Sequence, residues 1–216
     1  MFIVPVYVPS RSELHIEAVF KKFNRKGGWW EFYREIAKKY AVPERFYHTF
    51  SGHIEACLAE FRWMGKHAEN PEAVAIALVL HDVVMDFQRS DNEEKSAEYA
   101  REILARMNVS REFADEVANL ILATKHDALP QSEDAKLVVD IDLAILGKNR
   151  WRFNHYDRQI RQEYAFVPEE IFRKKRAEIM QKFLDRPSIF VTDHFRQKYE
   201  AQARKNLEAL IKKLSA

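Results

Sequence analysis

The stretch Pro71-Glu-Ala-Val-Ala-Ile-Ala-Leu-Val-Leu-His81-Asp82-Val-Val-Met-Asp86 sets an eight-residue apolar run, Ala73 to Leu80, directly against an imidazole and a carboxylate. Proline at the first position and the absence of polar/apolar alternation predict a helix from Pro71 to about Phe87, with Phe87 to Ser90 as a loop. At helical spacing His81 is flanked by Ala77, Leu78, Val84 and Met85, and Asp82 by Leu78, Val79, Met85 and Asp86, so both face the interior. An isolated buried carboxylate is costly unless a charge or several hydrogen bonds compensate it, and a metal ion would do so. The plainer alternative is that Asp82 binds neighbouring backbone while His81 is a satisfied core histidine.

Outward from this stretch the pattern stays helical. Five glycines and seven prolines punctuate the chain, and between them apolar residues recur at helical spacing, so the fold class is all-α. Ser10 with Glu13 forms a capping-box pattern opening a helix to about Asn24, and Gly27-Gly28 separates it from a second, Trp29 to about Tyr40. Further helices are expected from His53 to about Lys66, from Asp91 to before Ser110, and over Ser110 to Lys125. Others fit Ser132 to Leu146, Arg150 to Tyr164, Pro168 to Leu184, and Thr192 to Leu214. The last carries Phe195, Tyr199, Ala203, Leu207 and Leu210 along one stripe, read as a core-facing seam or, less simply, a partner helix.

With 216 residues, 47% of them hydrophobic, the chain can bury a large core, and no Gly, Ser or Pro-rich linker divides it, so one domain over 1–216 is expected. Its 35 basic residues nearly balance 33 acidic ones, for a formal charge of +2, so net charge demands neither nucleic acid nor an anionic membrane as partner. Trp29 and Trp30 near Lys and Arg could make a basic aromatic patch, but Phe32, Tyr33 and Ile36 make a packed helix face the simpler account. The apolar run is far shorter than the roughly 20 residues of a membrane span. Cys57, the single cysteine, forms no internal disulfide and reads as a core residue; a cytoplasmic location is expected.

Two more segments carry chemistry. Asp142 has Val138, Val139, Ile145 and Leu146 around it, another acid on an apolar face. Asp140 lies about 200° around the helix from it, so both cannot face one site; Asp142 is the favoured ligand and Asp140 is left a solvated or second-shell role. In Tyr47-His48-Thr-Phe-Ser-Gly-His53-Ile54, His53 has Phe50, Ala56 and Cys57 at helical spacing and should face inward. His48 reads as a second-shell group, a phosphate contact or an ordinary loop residue.

The order His53, His81-Asp82, Asp142 resembles the H...HD...D signature of the HD superfamily of metal-dependent phosphohydrolases. The context is similar to a bacterial branch of predicted HD phosphohydrolases of unknown physiological role. It includes Arg45-Phe46-Tyr47-His48 before His53-Ile54, Asp91-Asn-Glu-Glu-Lys-Ser-Ala97, Ile121 to His126 and Asp140 to Gly147. The gap from His48 to His53 is one residue longer than in that branch, which bears on His48 more than on His53. The resemblance implies an HD-like helical bundle with additional N- and C-terminal helices, a metal-binding core over about 45–147, and one divalent metal ion (Mn, Fe, Co, Ni, Mg or Zn) held by His53, His81, Asp82 and Asp142. It further implies hydrolysis of a phosphate ester or anhydride in a small phosphorylated molecule, nucleotides included, by a metal-activated water.

Asp86, one helical turn beyond Asp82, is then the candidate for deprotonating the attacking water, or else a surface ion-pair partner. Glu94 and Lys95 are candidates for acting on substrate or water, and His126 for supporting a second metal or the phosphate. His15, His67, His155 and His194 receive no role. Arg158, Arg161 and the Arg173 to Arg176 run read as a solvated face, or one of these arginines holds a substrate phosphate. Two other readings stay open: a regulatory or ligand-binding HD protein with little turnover, and an oxygenase, which would need more histidines around a two-metal centre.

Overall fold

The computed structural model describes residues 29–215, and among these all the regular structure is helical, with no strand. The helix expected over Ser10 to Asn24, its Ser10/Glu13 cap, Gly27-Gly28 and His15 lie outside the described residues. The main helices are α1 (Trp29–Tyr40), α2 (Glu55–Met64), α3 (Pro71–Leu80), α4 (Asn92–Arg106), α5 (Arg111–Ala123), α6 (Glu133–Leu143), α7 (Arg150–Glu163), α8 (Glu169–Leu184) and α9 (Ala201–Ser215). Side-chain caps open several of them: Asn70 accepts from the Ala73 N–H, Ser110 from Phe113, Ser132 from Ala135 and Asn149 from Arg152. Each cap satisfies a backbone donor that the first turn leaves without an intrahelical acceptor.

Helix α3 is the axis of the molecule. Ala73 through Leu80 are all buried, and α2, α4, α5 and α6 pack around them. An all-round apolar helix is what a central position requires, because no side of it meets water. Each fully buried Leu, Ile or Val contributes about 1.5–3 kcal/mol relative to an exposed one. The run therefore fixes which helix is central as well as its helicity.

The expected continuation of this helix to Phe87 does not occur. The helix stops at Leu80, and residues 81–84 form a turn in which the Val83 N–H bonds the Leu80 carbonyl at 3.1 Å. Two distant side chains hold the turn. The buried guanidinium of Arg45 donates to the carbonyls of Asp82 (2.6 Å), Val83 (3.2 Å) and His48 (3.1 Å). Ser96 on α4 accepts from the Val84 N–H at 3.1 Å and donates to its carbonyl at 3.2 Å. Backbone groups freed from the helix thus find partners in the tertiary fold, which is what lets a buried chain leave helical geometry.

The C-terminal third wraps back over the core. The expected helix from Thr192 is a short turn at Asp193–Phe195, a π-helical stretch over Arg196–Glu200, and then α9. The stripe Phe195, Tyr199, Ala203, Leu207 and Leu210 is buried throughout. Of the two places left open for Asp140, a solvated face or support behind a ligand, burial excludes the first: its carboxylate accepts from the Val191 and Thr192 N–H groups (2.7 Å each) and the Thr192 hydroxyl (2.6 Å). Residues 191–192 cover the face that the helical wheel assigns to water, so Asp140 pins the C-terminal segment to α6. Nearby, buried Glu60 on α2 accepts from Lys148, from Lys198 at 2.9 Å and from the Tyr199 hydroxyl at 2.5 Å. Gly147 lies against the Tyr199 side chain so closely that a Cβ there would run into it. Helices α8 and α9 pack against each other, joined by Arg204, which donates to the carbonyls of Leu184, Arg186 and Pro187. Among the described residues no helix is long and apolar enough to cross a membrane.

Candidate metal centre

Four donor side chains converge where α2, α3 and α6 meet. His53 comes from the π-helical turn Phe50–Ile54 ahead of α2, His81 and Asp82 from the end of α3, and Asp142 from the last turn of α6. His53 Nε2 lies 3.0 Å from His81 Nε2, 3.0 Å from Asp142 Oδ1 and 3.4 Å from Asp82 Oδ2. His81 Nε2 lies 3.1 Å from Asp82 Oδ2 and 3.6 Å from Asp142 Oδ1. An ion with bonds of about 2.1 Å separates neighbouring donors by about 3.0 Å in an octahedron and about 3.4 Å in a tetrahedron, so these five spacings are of the size that shared ligation requires. Two overlapping sets each bring their ligand atoms within 4.8 Å of one another, His53 with His81 and Asp82, and His53 with Cys57 and Asp142.

The protons argue the same way. His81 Nδ1 lies 3.0 Å from the Leu78 carbonyl, so in the neutral ring Nδ1–H donates there and Nε2 is left as a lone pair facing His53 and both carboxylates. Acceptors converging in a buried place require a cation or protons between them. Without an ion, protons take that part: burial works against charge on His81, but Asp82 and Asp142 outweigh it and hold the imidazolium well above the usual range. Asp82 and Asp142 are held below the usual carboxylate range because the imidazoles outweigh the effect of burial. Burial lowers His53, and Cys57 Sγ sits 3.7 Å from its Nδ1 as a buried, free thiol pushed up by desolvation.

A cleft of about 700 Å³ opens above the cluster. His81, Asp82 and Asp142 lie on its floor with His48 and His126 beside them, while His53 sits behind. His126 Nε2 is 3.0 Å from Asp142 Oδ2, so this histidine joins the cluster. It does so from a left-handed backbone (φ 59°) just beyond α5, a conformation that costs a non-glycine residue about 1–2 kcal/mol. Arg186 steadies it by donating to the His126 carbonyl at 2.8 Å.

His48 is held by a residue the sequence did not point to. Buried Glu163, at the end of α7, accepts from the N–H groups of Phe46 (2.8 Å), Tyr47 (2.8 Å) and His48 (2.9 Å), and its other oxygen meets His48 Nδ1 at 2.7 Å. Burial opposes charge on His48, yet Glu163 and the metal-site carboxylates raise its pKa. Nothing around Glu163 in the sequence betrays this role, since all its partners lie more than 110 residues earlier.

Three expected site residues stand elsewhere. With α3 ending at Leu80, Asp86 is not one turn beyond Asp82; its carboxylate accepts from the Gln88 N–H at 2.9 Å, and it lines a separate groove with Val42, Phe87 and Phe166. Glu94 pairs with Lys125, and Lys95 pairs with Glu98 at 2.8 Å; neither lines the cleft. Glu93, the neighbour of Glu94, does line it, and burial with the charges of Asp82 and Glu94 pushes its carboxyl up. Arg176, in the run read as a solvated face or as holding a substrate phosphate, is not solvated: it lies at the cleft and is buried. Its position was readable: Phe172, Arg176 and Met180 recur every four residues, and the two apolar ones are buried with it.

The helical bundle gathers two histidines and two aspartates into one buried cluster beneath a cleft, a side-chain set able to hold a divalent metal ion. Residues 46–144 match the family model described as the HD domain, so this part of the chain is an HD domain, and it carries all four donors. No curated protein and no solved structure matches the chain.

Proposed function

We propose that the protein is a metal-dependent phosphohydrolase acting on a phosphate ester or anhydride of a small molecule, with nucleotides among the candidates. The observation that carries this reading is the convergence of His53, His81, Asp82 and Asp142, the last three lining an open cleft and His53 behind them. These four residues would hold one divalent ion, which when bound would acidify a water and draw charge from a phosphoryl oxygen. The Leu78 carbonyl fixes the His81 ring, and the His126 contact orients Asp142.

Glu93 takes the proton-transfer role first expected of Asp86. Its carboxyl lies in the cleft and burial holds its pKa up, nearer the operating range of a general base or acid. His48, kept in one orientation by Glu163, lines the cleft and is a candidate contact for the substrate. The test is metal content by elemental analysis of wild type and Asp82→Ala, with hydrolysis of a panel of nucleotides and phosphate esters in added Mn, Mg, Co or Ni. About one metal per chain with turnover, both lost in the variant, is the expected result. Metal without turnover on any panel member favours a regulatory HD protein, two irons per chain favour an oxygenase, and no metal under any condition removes the reading.

A further inference from the structure

Part of the cleft's lining comes from outside residues 46–144, and the one deeply buried charge in that part is Arg176 on α8. The side chain is 8% exposed, yet its Nε and Nη2 are buried without a hydrogen-bond acceptor. Its nearest carboxylate, Asp157 Oδ1, stands 3.5 Å from Nε and makes no hydrogen bond with it; Asp157 also has Lys213 at 3.7 Å from its other oxygen. The guanidinium rests over the Tyr156 ring at 5.1 Å, Tyr156 packs on Tyr47 (4.5 Å between centroids), and Tyr47 on His53 (4.8 Å). Two rings in series therefore set the arginine at a fixed place relative to the metal cluster.

Asp157 lies within ion-pair range of this guanidinium, but the donors that meet no acceptor leave part of its desolvation cost uncompensated unless a ligand completes them. Its planar fork suits two oxygens of one tetrahedral anion, and stacking on Tyr156 holds it in a single orientation. We propose that Arg176 is the anion receptor of the cleft, donating to oxygens of the substrate's phosphate from the C-terminal wall. This deepens the phosphohydrolase reading and rests on it for the identity of the anion. Phe183 and Met180 beside Arg176 offer apolar surface to the organic part of the ester.

Inorganic phosphate titrated into EDTA-treated full-length protein, followed by calorimetry, tests this without any metal or turnover. Arg176→Met should weaken phosphate binding ten- to a hundred-fold, the loss of one or two charge-assisted hydrogen bonds. Should that variant fail to fold, Arg176→Lys, which keeps a charge beside Asp157 but not the fork, should still weaken binding several-fold. Asp157→Asn, which removes the competing carboxylate, should bind phosphate more tightly than wild type. Wild type that takes up no phosphate, a folded Arg176→Met or Arg176→Lys that binds within twofold of wild type, or an Asp157→Asn that binds more weakly overturns the proposal, the last by making Arg176 the counter-ion of Asp157. Metal content of the same preparations separates the two ideas: phosphate binding lost in Arg176→Met with no metal in wild type sinks the hydrolase and keeps the receptor, and the converse pattern does the reverse.

Discussion

Replacing Glu163 by glutamine should cost about 3 kcal/mol of stability and release His48. The carboxylate accepts three backbone N–H bonds of 2.8–2.9 Å at one oxygen and the His48 ring at the other, and the side chain is fully buried. Hydrogen bonds to a charged acceptor are worth about 1.5–3 kcal/mol each and neutral ones about 0.5–1.5, so neutralising the acceptor of three donors removes roughly 1 kcal/mol per bond. In a chain of this length that loss lowers the melting temperature by about 6–12 °C. The pH dependence has two limbs. His48 has a folded pKa raised above its unfolded value, so its contribution is complete below about pH 6.5 and fades as pH rises through the folded pKa. Glu163 is lowered, with burial outweighed by His48 and the backbone donors; its contribution is present above its unfolded value of about 4.3 and fades as pH falls through the folded one. Urea unfolding of wild type and variant between pH 4 and 8, with His48 titrated by NMR, measures both. A loss under 1 kcal/mol at pH 6, or an unmoved His48 pKa in the variant, would refute the reasoning.

Metal affinity should fall as pH falls, by about tenfold per unit below the folded pKa of His81, since the ion must displace the proton that Asp82 and Asp142 hold there; chelator competition at pH 6 and pH 8 reads this, and equal affinities would contradict it. Asp140→Asn should lower stability by about 1–3 kcal/mol through its lost bonds to residues 191–192 yet leave metal content unchanged, whereas Asp142→Asn should lose metal, as unfolding curves and elemental analysis will show. Gly147→Ala should cost about 1–3 kcal/mol, because the new methyl meets the Tyr199 side chain near its backbone where little can give; a variant as stable as wild type in urea would place that contact wrongly.

The all-helical fold and the central helix were legible because they follow from local facts: few glycines and prolines, helical periodicity, and an eight-residue apolar run that only a surrounded helix can carry. The convergence of His53, His81, Asp82 and Asp142 was legible for the same reason, as polar groups at positions whose helical neighbours are apolar. What failed was whatever depends on a distant partner. Val83, Val84 and Met85 read as helix, and only Arg45 and Ser96, remote in sequence, take them out of it and carry Asp86 away from the cleft. The helical wheel separated Asp140 from Asp142 correctly, but it assumes water on the far side, and residues 191–192 are there instead. Glu163 has no local signature at all, whereas the buried Arg176 had one in its four-residue spacing from Phe172 and Met180.

The clustered histidines and aspartates all belong to residues 53–142, while Tyr164, Arg176, Met180, Phe183 and Arg186, which also line the cleft, belong to the final quarter of the chain. The two halves of the site therefore answer to separate stretches of sequence. Substitutions along α8 can reshape what the cleft admits while the donor cage, packed around α3, stays as it is. Exchanging α8 between proteins of this architecture would then change the lining of the cleft and leave the cluster of histidines and aspartates in place.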